Sequence, residues 1–219
     1  MRLVDMRWCV KMKIYDISWP MSAESTAYKD KKTIHFAAIK SWDADKVRET
    51  VLAMSAHSGT HIDAPSHFIA DGHTIDQLNV QQVIGQCKVF DLAAVADCIM
   101  PEHIENLSIE AGDIVLFKTA NSALAVDAPF NPNFVYLSAA AARYLVGKKI
   151  KAIGVDYLGI ERNQPGHETH IELFKNGITI IEGLRLKDVR QSSYFLCCLP
   201  LSILGAEAAP ARAILIEQF

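Results

Sequence analysis

Three histidines and an aspartate capable of metal ligation or proton transfer fall within eleven residues of the chain: His57, His61, Asp63 and His67, in the stretch AHSGTHIDAPSHF that runs from Ala56 to Phe68. The whole sequence has only eight histidines, so the clustering itself asks for a chemical reason. A helix would bring His57 and His61 onto one face, but Gly59 between them and Pro65 behind argue against one. In an extended chain side chains alternate, so positions 57, 59, 61 and 63 face the same way, with a glycine leaving room between the larger groups. Two imidazoles and a carboxylate on one face suit a divalent metal. Without a thiolate, that donor set points to Zn²⁺, Mn²⁺, Fe²⁺ or Co²⁺ in a catalytic site rather than to a closed structural zinc site. The bland alternative, a solvated polar strand, would have almost no apolar anchor on that face and little reason to be ordered. Pro65 is expected to end the strand before His67, whose direction the spacing does not determine.

Strands must supply most of the frame that positions these residues. Strand-like segments are KIYDIS (13–18), IHFAAI (34–39), CKVFDLA (87–93), DIVLFKT (113–119), AIGVDYL (152–158), ITIIEGL (178–184), YFLCCLPL (194–201) and AILIE (213–217). Ser138 is placed to cap a helix over AAAARYLV that ends at Gly147, and 166–176 reads as a second helix stopped by Asn176 and Gly177. No repeat or linker divides the chain, so one domain is expected over 13–219. Residues 1–12 read as an N-terminal extension, because Met12 stands immediately before the first strand pattern.

Composition narrows the partners. Half the 219 residues are hydrophobic and 21% are charged, with a net charge of −3 and interspersed signs. That balance favours a small-molecule substrate over nucleic acid or an anionic membrane surface. The apolar run Tyr194–Leu204 is broken by Pro200 and too short to span a bilayer, and residues 1–12 lack the apolar core of a signal peptide. The cysteine count is odd and there is no CxxC, which fits a reducing cytoplasm; the adjacent Cys197 and Cys198 read as core residues of a buried strand rather than a redox pair.

HSGTHIDAPSH matches the HxGTHxDxPxH signature of the cyclase family of metal-dependent hydrolases, which includes bacterial kynurenine formamidase and isatin hydrolase. The resemblance continues outside the motif: KIYDIS resembles the family's opening strand, AGDIVLFKT its GDxVLxRT segment, AIGVD its GxD strand and HIELFKNGITIIEGL its closing HxxLLxxGxxIxEGL block. It implies an α/β swivelling β/β/α domain, a mixed, barrel-like sheet flanked by a few helices, assembled as a homodimer or homotetramer. It also implies two divalent metal ions, Zn²⁺ ahead of Mn²⁺, with His57 and His61 on the first, Asp63 bridging, and His170 and Glu182 completing the centre. His67 resembles the family's acid/base histidine. His167, one helical turn from His170, is open to a supporting role, although a solvated helix position is the stronger reading. His35, His73 and His103 match no role and read as structural.

The activity so implied is hydrolysis of an amide C–N bond in a small aryl substrate by metal-activated water, arylformamidase-like in character. The alternatives are isatin hydrolase-like opening of a cyclic amide or ester, or a non-catalytic metal-binding protein on the same fold. Two departures bear on substrate: Lys29 stands where the family often has a proline, and Gly159 where it often has a serine. Trp19, Tyr28 and Phe68 are candidates to stack on an aryl group, with ordinary core or rim packing as the alternative for each.

Overall fold

A computed structural model of the chain describes residues 12–217, so all of the expected N-terminal extension except Met12 lies outside the described residues. Strands β1 (Lys13–Asp16), β2 (His35–Lys40), β3 (Glu49–Ala53), β4 (His61–Asp63), β5 (Ile84–Asp91) and β6 (Cys98–Ile99) make up the first half. Strands β7 (Ile114–Lys118), β8 (Tyr136–Leu137), β9 (Ala152–Val155), β10 (Thr179–Glu182), β11 (Ser192–Pro200) and β12 (Ala208–Glu217) follow. The helices are α1 (Trp42–Asp45), α2 (Pro101–Ile104), α3 (Ala139–Lys148) and α4 (Glu168–Lys175). Each strand expected from the sequence is found, and both expected helices are.

The main sheet runs β1-β12-β11-β5-β7-β9-β10-β4, and a further β12–β4 pairing closes it into a barrel. Strands β5, β7, β9 and β10 are parallel to their neighbours in that run. Strands β11, β12 and β4 complete the circuit antiparallel. This is the mixed, barrel-like α/β architecture that the family resemblance implies.

Both faces of the parallel strands are buried, which is why they read as continuous apolar runs. Ile114 and Leu116 of β7 point into the barrel with Ile62, Ile181 and Leu196. Val115 and Phe117 point outward, where they meet Ala141, Ala142 and Leu145 of α3 and Leu173 and Phe174 of α4. The barrel interior is full at Gly154, where an added Cβ would come within 2.5 Å of Leu116 Cδ2 and 2.7 Å of Leu184 Cδ1. Helix α3 begins at Ser138, whose side chain accepts a hydrogen bond from the Ala141 amide as expected of an N-cap. It ends one residue beyond Gly147, at a left-handed Lys149.

One sequence expectation is corrected. The extended stretch placed over 57–63 is regular only from His61, because Gly59 adopts φ +60° and turns the chain. The outcome for the site is the same by another route: β4 alternates His61 and Asp63 outward with Ile62 in the barrel core, and the turn returns His57 to the same side.

Backbone packing at the barrel end leaves no room beside that turn. Gly183, immediately after β10, has φ +70°, and a Cβ on it would lie 2.3 Å from the Gly59 carbonyl oxygen. Thr60 Oγ1 ties the two segments by donating to Gly183 O at 2.6 Å and accepting from the Trp19 amide at 2.7 Å. Gly183→Ala is expected to cost about 1–3 kcal/mol, a fall of roughly 2–12 °C in Tm for a chain of this size. Thermal denaturation checks it, and an unchanged Tm would mean the two segments separate easily.

Candidate metal centre

Strands β4 and β10 lie antiparallel with Glu182 opposite His61 in the register. That pairing brings a carboxylate from the end of one strand beside an imidazole and a carboxylate of the other, all on the outward face. Helix α4 packs over the same face and lowers His170 onto the group. The four side chains are almost completely enclosed: His61 is 1% exposed, Asp63 2%, Glu182 4% and His170 6%.

Their polar atoms face one another at distances slightly longer than hydrogen bonds. His61 Nε2 is 3.4 Å from Asp63 Oδ1 and 3.4 Å from Glu182 Oε2. His170 Nε2 is 3.6 Å from Asp63 Oδ2 and 3.5 Å from Glu182 Oε1. His57 Nδ1 is 2.9 Å from Asp63 Oδ1. His61 Nδ1 lies 2.9 Å from the Gly59 carbonyl, which can only accept, so this nitrogen carries the proton and Nε2 faces the carboxylates. No hydrogen bond satisfies buried His61 Nε2. A buried, aimed and unsatisfied ring nitrogen between two carboxylates is the donor arrangement a cation would complete.

Burial and charge pull against each other throughout the cluster. Burial opposes the charged form of His61, but Asp63 and Glu182 carry its pKa up to about 10. Burial would likewise push Asp63 up, yet the His61 charge and the facing ring nitrogens of His170 and His57 hold it well below the usual carboxylate range. Glu182 is held down by His170 and His61 against burial and the neighbouring Asp63 charge. The Ile160 amide also donates to Glu182 Oε1 at 2.6 Å.

His67 occupies the short 3₁₀ turn Pro65–His67. Its ring centroid lies 4.3 Å from that of His57 and 6.0 Å from that of His170. Burial lowers its pKa, with the His57 and His170 charges adding to the effect and Asp63 opposing it. Ligand-capable atoms of His57, Asp63 and His67 all lie within 4.8 Å of one another, as do those of His61, Asp63 and Glu182. Asp63 is common to both groups.

Two carboxylates were not singled out from the sequence. Glu161 is buried, with Oε1 at 3.0 Å from His170 Nδ1 and 2.6 Å from His167 Nδ1. Its Oε2 accepts the Thr169 and His170 amides at 3.1 and 3.3 Å, closing the N-terminus of α4 with a negative charge. One side chain therefore fixes both the helix and the ring of His170 that it carries. Glu207 Oε1 lies 3.3 Å from His57 Nε2. Neither residue has a spacing signal that could have marked it, because each reaches the centre from a loop.

His167 is the half-exposed N-cap of α4, stacked on Phe68 at 4.2 Å and bonded to Glu161 rather than free in solvent. His73 bonds to Gln77 and His103 accepts the Met100 amide, in turns of their own, and His35 lies on the exposed β2.

The cluster forms the floor of a cavity of about 800 Å³, walled by Tyr28, Phe68, Phe130, Phe134 and the Leu158–Gly159 backbone. Of the proposed stacking residues, Tyr28 and Phe68 line it. Trp19 stands behind the wall against Tyr157, its indole N–H bonded to Val126 O. Lys29 and Gly159, the two departures from the family pattern, face the same cavity.

A family model described as "Putative cyclase" matches residues 15–162. The chain belongs to the cyclase family of metal-dependent hydrolases. It is 34% identical over 212 residues to the kynurenine formamidase of Salinibacter ruber, covering 93% of this chain and 97% of that protein. A "predicted metal-dependent hydrolase" from Bacillus stearothermophilus superposes with a TM-score of 0.85 at 43% identity, over 94% of this chain and 99% of the other. Isatin hydrolase A from Ralstonia solanacearum shares the fold, with a TM-score of 0.81 at 18% identity over 94% and 92% of the two chains.

The ionised cluster makes the metal-free protein sensitive to pH. A histidine whose pKa is raised on folding stabilises fully below its ordinary value of 6.5 and loses that contribution as pH climbs toward about 10. A carboxylate held low stabilises above its ordinary 3.8 and loses its contribution as pH falls. The Tm of chelator-treated protein should therefore be higher at pH 5.5 than at pH 9, by several degrees, and the difference should shrink in Asp63→Asn. A flat profile would mean these groups do not carry the charges assigned to them.

Proposed function

We propose that the centre binds two divalent metal ions, Zn²⁺ ahead of Mn²⁺, and hydrolyses an amide C–N bond of a small aryl substrate, as a kynurenine formamidase does. The observation that carries this reading is the convergence of His57, His61, Asp63, His170 and Glu182 on one buried point that opens into an aromatic-walled cavity. His57 and His61 would hold the first ion and His170 would complete the centre, with Asp63 and Glu182 each touching both ions; the nearness of Glu182 to His61 and Asp63, and of His57 to Asp63, supports that sharing.

A divalent metal supplies Lewis acidity, acidifying water and polarising the substrate carbonyl. The protein's part is positioning and proton movement. Glu161 lies at ion-pair distance, 3.0 Å, from the far nitrogen of His170, and the Gly59 carbonyl is hydrogen-bonded to that of His61, so each ring presents Nε2 to the carboxylates. Burial keeps His67 neutral near pH 7, when its lowered pKa leaves the ring free to accept a proton. It takes the proton released as water attacks and returns it to the amide nitrogen, a poor leaving group until protonated. Phe68 packs on His67 at 4.0 Å and limits where that ring can turn.

An isatin hydrolase-like ring opening uses the same steps on a cyclic amide; the shared fold favours neither substrate, and formate release against ring opening separates them. A homodimer or homotetramer is supported by the β2–β3 ribbon, whose strand residues are all exposed, with Phe36, Ile39, Val51 and Leu52 among them. An isolated two-stranded ribbon is only marginally stable in water; light scattering of the purified protein should give two or four chains, and a monomer would remove this reading. Among the described residues no helix is long and apolar enough to cross a membrane. The free thiols of Cys87, Cys98, Cys197 and Cys198 support a cytoplasmic setting.

Elemental analysis should find close to two ions per chain and assay should find formate released from N-formylkynurenine. Asp63→Asn should lose both, whereas His67→Ala should keep its metal and lose turnover by roughly 10²–10⁴-fold. Loss of metal in His67→Ala would instead make that histidine a ligand.

A further inference from the structure

The charges that line the cavity are segregated. Its carboxylates, Asp63, Glu161 and Glu182, are buried at the floor and engaged by histidines. Its cations, Lys29, Lys31 and Arg162, belong to the wall and mouth. Arg162 is neutralised there by Asp97. The side chains of Lys29 and Lys31 are exposed, and their ammonium groups make no hydrogen bond or ion pair among the described residues. The intervening Asp30 forms no ion pair with either lysine among the described residues; its Oδ1 instead accepts the Phe130 amide at 2.8 Å.

The backbone holds Lys29 at the cavity at a conformational cost. Lys29 has φ +52° and ψ +34°, and Asp30 follows with φ +56°. Two consecutive non-glycine residues in the left-handed region are strained, and such strain collects where a ligand is held. The ammonium of Lys29 stands 5.2 Å from the Tyr28 ring centroid. Tyr28 in turn packs edge-on to Phe130 at 5.0 Å. Below them Gly159 provides a strip of wall with no side chain; a Cβ there would lie 3.3 Å from Phe134 Cζ and 3.6 Å from Tyr28 Cε2. Passing inward from the mouth, the cavity offers unpaired cations, then aromatic faces, then the ionised floor.

We propose that Lys29 and Lys31 are specificity-determining residues that select an aryl amide carrying a carboxylate, with the acid at the lysines, the ring among Tyr28, Phe130 and Phe134, and the amide at the histidine-rich floor. The inference rests on the hydrolase reading above and names its substrate class. An aromatic acid meets both features of the wall at once: its ring covers apolar surface, and its carboxylate finds cations that no carboxylate among the described residues pairs with. The lysines are exposed, so their contribution is screened by salt and acts on capture of substrate rather than on bond breaking.

The test compares 4-formamidobenzoate with formanilide, which differ by the carboxylate alone, on the metal-loaded protein and on the Lys29→Asn/Lys31→Gln variant. Asparagine tolerates the left-handed backbone, and an unchanged Tm verifies that the variant folds. The ratio of kcat/KM for the acid over the neutral amide should exceed one in the parent. It should fall roughly three- to tenfold in the variant, mostly through KM, and also fall in the parent as salt is raised. A ratio that the variant and salt both leave unchanged overturns the inference while formate release keeps the hydrolase reading. If neither compound yields formate, that reading fails, and calorimetric binding of 4-formamidobenzoate decides the inference: tighter binding to the parent than to the variant upholds it, and equal binding overturns it.

Discussion

Burying ionised groups is costly, and the costs at this centre explain much of what surrounds it. Taking carboxylates and imidazolium groups out of water costs several kcal/mol per ion unless each charge is answered by another or by hydrogen bonds. Asp63 and Glu182 are answered by His57, His61 and His170. Behind them, the Ile160 amide, the Gly59 carbonyl and Glu161 meet the atoms that face away. The result is a polar shell two layers deep inserted between a closed barrel and a helix, each otherwise apolar on the surfaces that meet.

The two strands and the helix that carry the cluster are placed by ordinary packing. Ile62 and Ile181 fill the barrel while their neighbours in sequence point the other way, so the alternation that builds the core also aims His61, Asp63 and Glu182. Leu173 and Phe174 seat α4 on the outer face of the sheet, and His170 lies one turn earlier on the same helix. Carrying His61, Asp63, Glu182 and His170 on strands and a helix rather than on loops fixes them through backbone hydrogen bonds that have nothing to do with the site, while His57 reaches it from the turn before β4. The cavity wall is different: Tyr28, Lys29, Phe130 and Gly159 lie on connections between elements, where changing one residue alters the lining of the cavity and leaves the scaffold alone.

The sequence was most informative where chemistry and periodicity are local. The clustering of His57, His61 and Asp63 could be read directly, as could the apolar runs of the barrel strands and the Ser138 cap. The left-handed turn at Gly59 was missed because a glycine in an extended pattern reads as an empty place in a strand, although the same missing side chain also permits positive φ. Glu161 and Glu207 were missed because nothing in their neighbourhood marks a carboxylate that reaches a partner many residues away. Trp19 was considered for the cavity as a large aromatic near a motif strand, yet burial against Tyr157 puts it behind the wall. Strand order was also beyond periodicity, since closure through β12 and β4 joins segments about 150 residues apart.

That closure also sets when the site can exist. Strand β4 has three residues, and its neighbours are β10 on one side and Ala208–Pro210 of β12 on the other. The segment of β12 that completes the pairing follows β4 by about 150 residues, so the histidine motif is enclosed only when stretches far apart in the chain have met. The geometry of the cluster is thus a product of long-range closure, the slowest class of contact to form, rather than of the local motif.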